Sequence, residues 1–247
     1  LNSPLIDIYL KDKSEFIVTE ASRAINDDYS IEKSLPTLAN LINNTEFENE
    51  GLIRRSLNAN SRVGKLNNIQ NLIGFSTNST NNELMRVESI NILSNWESPS
   101  KHDRVDGRYR GEINRNNNSV RKLFGQNAFE LLYDKSESVR VASIKALSSL
   151  KITSLDTILI SFLKKDSSKY IRQQSLITLL ENNSYNSEII FDIASNDTSK
   201  IVRTELLKHI SKTSLQDETK ASFLINIYKK GSYEEKQESI NQLKLIN

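Results

Sequence analysis

The chain contains no cysteine, which removes disulfides, thiolate catalysis, cysteine-ligated zinc and covalently attached c-type haem. Seven glycines and three prolines in 247 residues are too few for the many tight turns of an all-β protein. No stretch approaches the run of about 18 apolar residues that would cross a bilayer. No secretory leader is visible, and a start at Leu1 is read as the mark of a piece of a longer polypeptide. Charge of one sign is also missing. With 33 Lys and Arg against 31 Asp and Glu, the net charge is +2, too even for a protein whose affinity rests on neutralising many phosphates. What remains is 37% hydrophobic and 26% charged residues, the balance of a folded chain rich in Leu, Ile, Ser, Asn and Lys.

These residues are arranged in a repeat. "DKSESVRVASIKALSSL" from Asp134, "DSSKYIRQQSLITLLEN" from Asp166 and "DTSKIVRTELLKHISKT" from Asp197 align with Arg six positions after the Asp. The arginines Arg140, Arg172 and Arg203 are spaced by 32 and 31 residues. Earlier copies place Arg86 and Arg54 in the same role, with Thr19 in a first copy and Lys236 in a last one. A small residue follows three positions later in Ser89, Ser143, Ser175 and Ser239, and is replaced by Leu206 in one copy. Between these segments lie stretches such as "SLDTILISFLKKD", whose apolar residues recur at three and four, the period of a helix. Ser3-Pro4 predicts a helix start, and Ser232 with Glu235 a capping box.

A helix–turn–helix unit of about 32 residues cannot bury both its apolar faces alone, and stacking on neighbours solves this. The pattern resembles the HEAT-repeat family, and more closely its short variant with a "D-x-x-x-x-V-R" signature. That resemblance implies an all-α fold, a right-handed α-solenoid of about six to seven pairs forming one domain over residues 1–247. It also implies a structural ladder between adjacent units from Asp134, Asp166 and Asp197 to Arg140, Arg172 and Arg203.

One spacing is broken. Arg86 and Arg140 are 54 residues apart, about 22 more than the repeat allows. The excess falls at 96–118, where Pro99, Gly107, Gly111 and the run "NRNNNS" interrupt any helical stripe. Long loops in compact proteins are functional or disordered. The aromatic anchors Trp96 and Tyr109 predict an ordered one. Its candidate interaction residues are Trp96, His102, Asp103, Arg104, Asp106, Arg108, Tyr109 and Arg110. His102 beside Asp103 has the makings of a base with an orienting carboxylate, but no Ser or Cys nucleophile accompanies it. Asp103 and Asp106 lack the alternating ligands of a calcium loop. The bland reading, a charged loop held by Asp–Arg pairs, is favoured, with the arginines Arg104, Arg108, Arg110 and Arg115 also suited to an acidic partner. His209 is read as a packing residue on a repeat helix, and the abundance of Asn as compositional.

Four strings narrow the resemblance: "EASRAINDD" at Glu20–Asp28, "SIEKSLPTLANLI" at Ser30–Ile42, "LIRRSLNANSRVG" at Leu52–Gly64 and "NWESPSKHDRVDGRYRG" at Asn95–Gly111. Together they are similar to the HEAT region of large bacterial putative membrane-bound dehydrogenases, where it follows a glucose/sorbosone-dehydrogenase-like propeller and accompanies a cytochrome c domain. The resemblance implies a non-catalytic docking module without cofactor, bound to neighbouring domains of its parent chain or to another protein, and a periplasmic setting. No nucleic-acid partner and no direct membrane insertion are expected. The alternatives are a HEAT-like nucleic-acid-binding protein or DNA glycosylase, which needs a basic concave face with stacking aromatics, and a HEAT-like small-molecule lyase, which needs a defined pocket.

Overall fold

The computed structural model describes residues 3–27, 29–44, 46–183 and 186–246, without the side chains of residues 29, 30 and 212. Asp28, the end of the first of the four strings, lies outside the described residues. Among the described residues all regular structure is helical, apart from one isolated antiparallel bridge between His102 and Tyr109. The chain packs as two units, Leu1–Leu150 and Lys151–Asn247.

The first unit begins with a 3-10 helix, Pro4–Lys11, capped by Ser3 with Pro4 in its first turn, and continues with α1 (Glu15–Asp27). Three pairs follow: α2 (Leu35–Asn40) with α3 (Glu50–Val63), α4 (Leu66–Thr77) with α5 (Glu83–Ser94), and α6 (Asn118–Leu132) with α7 (Glu137–Ser149). The second unit holds α8 (Asp156–Lys165) with α9 (Lys169–Asn182), α10 (Ser187–Ser195) with α11 (Lys200–His209), and α12 (Asp217–Lys230) with α13 (Tyr233–Leu243). Odd-numbered helices stack on one another, α1 to α3 to α5 to α7 and α9 to α11 to α13, with even-numbered helices on their flank. Each unit is thus an α-solenoid of helix pairs, as the repeat requires.

The start of each repeat helix follows from its first residues. In Asp134–Ser136, Asp166–Ser168 and Asp197–Ser199 the Asp carboxylate accepts the Ser amide at 2.7–2.8 Å. The Ser then caps the helix by accepting from an amide of the first turn. The main-chain carbonyl of the cap residue accepts from the amide four positions on, and this bond fixes the register of all seven odd-numbered helices. It ends at Val18, Ile53, Arg86, Arg140, Arg172, Arg203 and Lys236. The arginine position is therefore Val18 in the first copy and Ile53 in the second, each one residue before the expected Thr19 and Arg54. Arg54 lies on the surface, paired with Glu50 of its own helix. In this register the residue three positions on is Ala21, Ser56, Ser89, Ser143, Ser175, Leu206 or Ser239, all buried. The seryl hydroxyls of Ser56 and Ser89 donate to carbonyls of the partner helix at Leu38 and Leu72, so a small polar side chain here lets the pair close up.

The arginines join successive layers. Arg172 donates Nη1 to the carbonyl of Asp166 in its own repeat, and Nε and Nη2 to both carboxylate oxygens of Asp197 in the next, at 2.7 and 2.9 Å. Arg203 likewise holds the Asp197 carbonyl and the Glu235 carboxylate, where Glu235 belongs to the capping box with Ser232. Each of these arginines thus takes the main-chain oxygen of the Asp six positions before it, and the acid of the following layer. Arg86 holds the Ser76 carbonyl and forks onto Asp134, 48 residues further on, so the rung passes straight over the insertion. Arg140 and Asp166 occupy the same two places in the pattern. At the second copy the arginine is Ile53 and the acid of the next layer is Thr80, and a groove of about 440 Å³ lies there beside Phe47, Ile53, Phe75 and Thr80.

The rung between Arg86 and Asp134 is shielded from water on both sides. Burial pushes the Asp134 carboxyl up. The hydrogen bonds from Arg86 and the Ser136 amide, with the charges of Arg86 and Arg140, more than offset this and hold it below the ordinary aspartate value. Removing one partner of such a pair strands the other charge. Arg86→Ala is expected to lower unfolding stability by about 3–5 kcal/mol in chemical denaturation, whereas Arg54→Ala stays within about 0.5 kcal/mol.

Candidate functional site

The insertion leaves α5 at Asn95 and rejoins the repeat at α6, and its fold is written in short-range polar contacts. Asp103 Oδ1 accepts the amides of Val105 (2.8 Å) and Asp106 (3.2 Å), which turns the chain. Asp103 N donates to Arg108 O and Arg110 N to Lys101 O, so the two arms run antiparallel, with Gly107 at φ 73° in the bend. At the base Arg115 N donates to Glu97 O. Trp96 is 2% exposed, with the Arg115 guanidinium 4.3 Å above its ring. Arg115 Nη2 donates to Ser61 O at the end of α3. Gly64, in the left-handed conformation at φ 67°, closes α3 there; a Cβ on it would sit 2.1 Å from Arg115 Nη1.

The tip of the loop is folded back on the first layers. The Asp103 side chain is fully buried, and its Oδ2 accepts from Asn58 Nδ2 (2.9 Å) of α3 and Arg110 Nε (3.1 Å). Asn58 also donates to Asn26 Oδ1 of α1 at 2.9 Å. Arg110 Nη2 binds the Asn26 carbonyl (2.7 Å) and Asp106 (2.9 Å). Arg62 of α3 lies 4.0 Å from Asp103 and reaches Glu32 at 3.3 Å. Arg108 donates to the Asp27 carbonyl, and Arg104 clasps Glu88 of α5. All four strings singled out in the sequence therefore contribute to one centre: Asn26 from the first, Glu32 from the second, Asn58 and Arg62 from the third, Asp103 and Arg110 from the fourth.

The electrostatics follow from this packing. Burial pushes the Asp103 carboxyl up, but the Val105 and Asp106 amides, Asn58 and the charge of Arg110 outweigh it, so the group is held below the usual aspartate range. Arg62 is pulled down by burial and by the like charge of Arg110, against the attraction of Asp103 and Glu32. Glu88 raises Arg104.

Of the residues marked in the sequence, Trp96, Asp103 and Arg110 are interior, and Asp106 and Arg104 are engaged in ion pairs. Arg108 is half exposed, and His102 and Tyr109 are exposed, with their rings packed edge to face at 5.7 Å. His102 therefore faces Tyr109, while the Asp103 oxygens are taken by Asn58, Arg110 and main-chain amides. The cavity beside Asp103 is about 20 Å³, far below the few hundred Å³ that a small-molecule site occupies. Among the described residues no cluster of three or more His, Asp or Glu suits a metal ion. His209 is half buried, its Nδ1 3.1 Å from the Glu205 carbonyl.

The abundance of Asn is compositional on the sequence reading, and four of these side chains are interior structure. Asn26, Asn58, Asn60 and Asn68 are all buried. Asn60 donates to the carbonyls of Ala39 and Ser56 and accepts from Asn68. One signal was available. Asn60 sits seven positions after Ile53, where the other copies carry Ile25, Leu93, Leu147, Leu179, Ile210 and Leu243.

No family model matches the chain, and no curated protein matches it. Among solved structures it is similar to Escherichia coli YibA at 17% identity, covering 99% of this chain and 93% of that one with a TM-score of 0.53. A HEAT-like repeats protein from the archaeon Thermococcus onnurineus matches at 17% identity over 98% of this chain and 85% of that one, TM-score 0.43. The CpcE–CpcF complex of phycocyanin lyase from Nostoc matches at 13% over 99% and 95%, TM-score 0.34. The likeness to YibA establishes the stacked-pair fold and nothing beyond it. The repeat signature resembles that of HEAT-like pairs.

Two outcomes are expected. Asp103 stabilises fully above its unfolded value of about 3.9, and that contribution is lost as pH falls through its lower folded value. Asp103→Asn should therefore lower stability at pH 7 and flatten the acid limb of a stability–pH curve measured by urea unfolding. Trp96→Ala should cost about 3–5 kcal/mol in the same assay, since it empties the anchor of the loop.

Proposed function

We propose that the chain is a non-catalytic helical-repeat scaffold, a docking module that holds other domains or proteins. The observation that carries this reading is the convergence of the four strings on a closed polar centre. Asp103, Arg104, Arg110 and Arg115 of the insertion are taken up in fastening it to α1, α3 and α5, and the cavity beside Asp103 is too small for a substrate. What the insertion offers outward is a small aromatic rim, His102 and Tyr109, with Lys101 and Arg108 beside it on a fixed frame. A rigid loop with exposed aromatic and basic side chains suits a protein partner, because little entropy is lost on contact.

The finer reading is that this partner is a neighbouring domain of the parent polypeptide, a dehydrogenase-like propeller in the periplasm. It is supported only by the similarity of the four strings to that family's HEAT region. The test begins with the reading frame that surrounds these residues. If it encodes a propeller, that domain, purified separately, should bind the 247-residue chain in calorimetric titration. His102→Ala combined with Tyr109→Ala should weaken the binding about tenfold or more, equivalent to about 1.4 kcal/mol, with an unchanged melting temperature. A reading frame without propeller or haem motif, or a propeller that does not bind, removes the finer reading.

A further inference from the structure

The cap turns that open α3 and α5 border a groove of about 440 Å³, and those that open α9 and α11 border one of about 470 Å³. The two grooves hold the same place in the repeat, but their linings are opposite in character. Six residues before the arginine position stands Asp166 in the later groove and Phe47 in the earlier. The arginine position itself is Arg172 in one and Ile53 in the other. From the following repeat, Asp192 and Asp197 of the later groove correspond to Phe75 and Thr80 of the earlier, five residues apart in both. Where one groove carries four charged side chains, the other carries three apolar ones and a threonine.

In the later groove the polar groups answer one another, since Arg172 takes the Asp166 carbonyl and forks onto Asp197. The earlier groove has no such closure. Ile42, Leu52 and Phe75 form its floor, each at most 7% exposed, and Leu41, Phe47 and Ile53 stand half-buried around them. Ser56, also in the floor, spends its hydroxyl on the Leu38 and Ala39 carbonyls. Water in such a trough finds few partners, so an apolar group that displaces it gains free energy. The edge carries charge of one sign. Glu48 lines the groove, Glu46 lies two residues before it on the same exposed loop, and Glu15 of α1 accepts the amides of Glu48 and Asn49 at 2.7 Å. Among the described residues none of these three carboxylates has an ion-pair partner, whereas the neighbouring Glu50 is paired with Arg54.

We infer that this groove is a docking site for a partner polypeptide that presents a bulky aliphatic or aromatic side chain next to a lysine or arginine. The apolar group sits against Phe47, Ile53 and Phe75, and the cation meets Glu48. The trough selects the first and the unpaired carboxylates select the second. No lining residue belongs to the insertion, so this is a second surface besides the rim of His102 and Tyr109. It takes from the scaffold reading only that a partner exists. The two fail separately, because His102→Ala with Tyr109→Ala leaves the groove unchanged.

An amide-shift titration of the isotope-labelled 247-residue chain with three short capped peptides tests this. The first carries Lys-Leu-Phe, the second has Glu in place of Lys, and the third has Ser in place of Leu and Phe. The first should saturate with a Kd below about 1 mM and shift the amides of Phe47, Ile53 and Asn81. The other two should bind about tenfold more weakly or not at all. Glu48→Lys should reverse the preference between the first two peptides. Ile53→Arg combined with Thr80→Asp rebuilds the fork found between α9 and α11, and should abolish binding while the melting temperature holds or rises. Glu48 is exposed, so its variant keeps the test decisive if the double variant folds poorly. No saturation by the Lys-Leu-Phe peptide, shifts centred elsewhere, an equal response to the Glu peptide, or undiminished binding by the folded double variant overturns the proposal. Shifts at these residues on concentrating the chain alone would assign the groove to a second copy, and overturn it equally.

Discussion

A guanidinium shared between two layers is the joint on which each stack depends. One of its donors holds a main-chain carbonyl of its own repeat, Nη1 in Arg172 and Arg203 and Nε in Arg86, and the others reach the carboxylate of the next layer. The geometry is directional, because the acid is already held by the amide two residues on and can turn only one oriented pair of oxygens towards the arginine. Apolar burial drives the layers together without fixing their rotation. The fork fixes it, which is why an Asp-x-Ser turn, an Arg and a small residue recur at constant offsets.

The same rung explains how the stack accommodates twenty-odd extra residues. Arg86 meets Asp134 as though nothing lay between them. The added segment leaves the repeat geometry alone and spends its own charges on contacts with earlier helices. A buried carboxylate such as Asp103 is tolerated only when donors surround it, and amides from α1 and α3 with an arginine of the loop itself supply them. Asp103 and most of the loop's arginines are here the fastening of a loop, while His102 faces Tyr109 at the surface.

Much of this was legible beforehand. The period, the helix pairs, the caps at Ser3 and Ser232 and the position of the insertion follow from spacing and turn chemistry, which are local properties. The register of the first two copies was misread by one residue, because Val18 and Ile53 occupy the arginine position while Thr19 and Arg54 beside them look the part. The polar centre was hidden for a different reason. Asn26 and Asn58 are unremarkable in a chain full of Asn, and only the meeting of α1, α3 and the loop gives them partners. Asn60 alone betrayed itself, as a polar residue in an otherwise apolar column.

The loop's grip on α1 and α3 also bears on how the first unit assembles. In a plain solenoid each layer answers only to its neighbours, so order can spread from any point and fray from either end. Asn58 and the Asn26 carbonyl gain further partners in Asp103 and Arg110, 45 and 84 positions downstream. During synthesis the early helices therefore emerge before the buried carboxylate and guanidinium that complete their polar contacts. The first unit gains all-or-none cooperativity from this distant tie, while the second, built from adjacent contacts alone, keeps the freedom to melt one layer at a time.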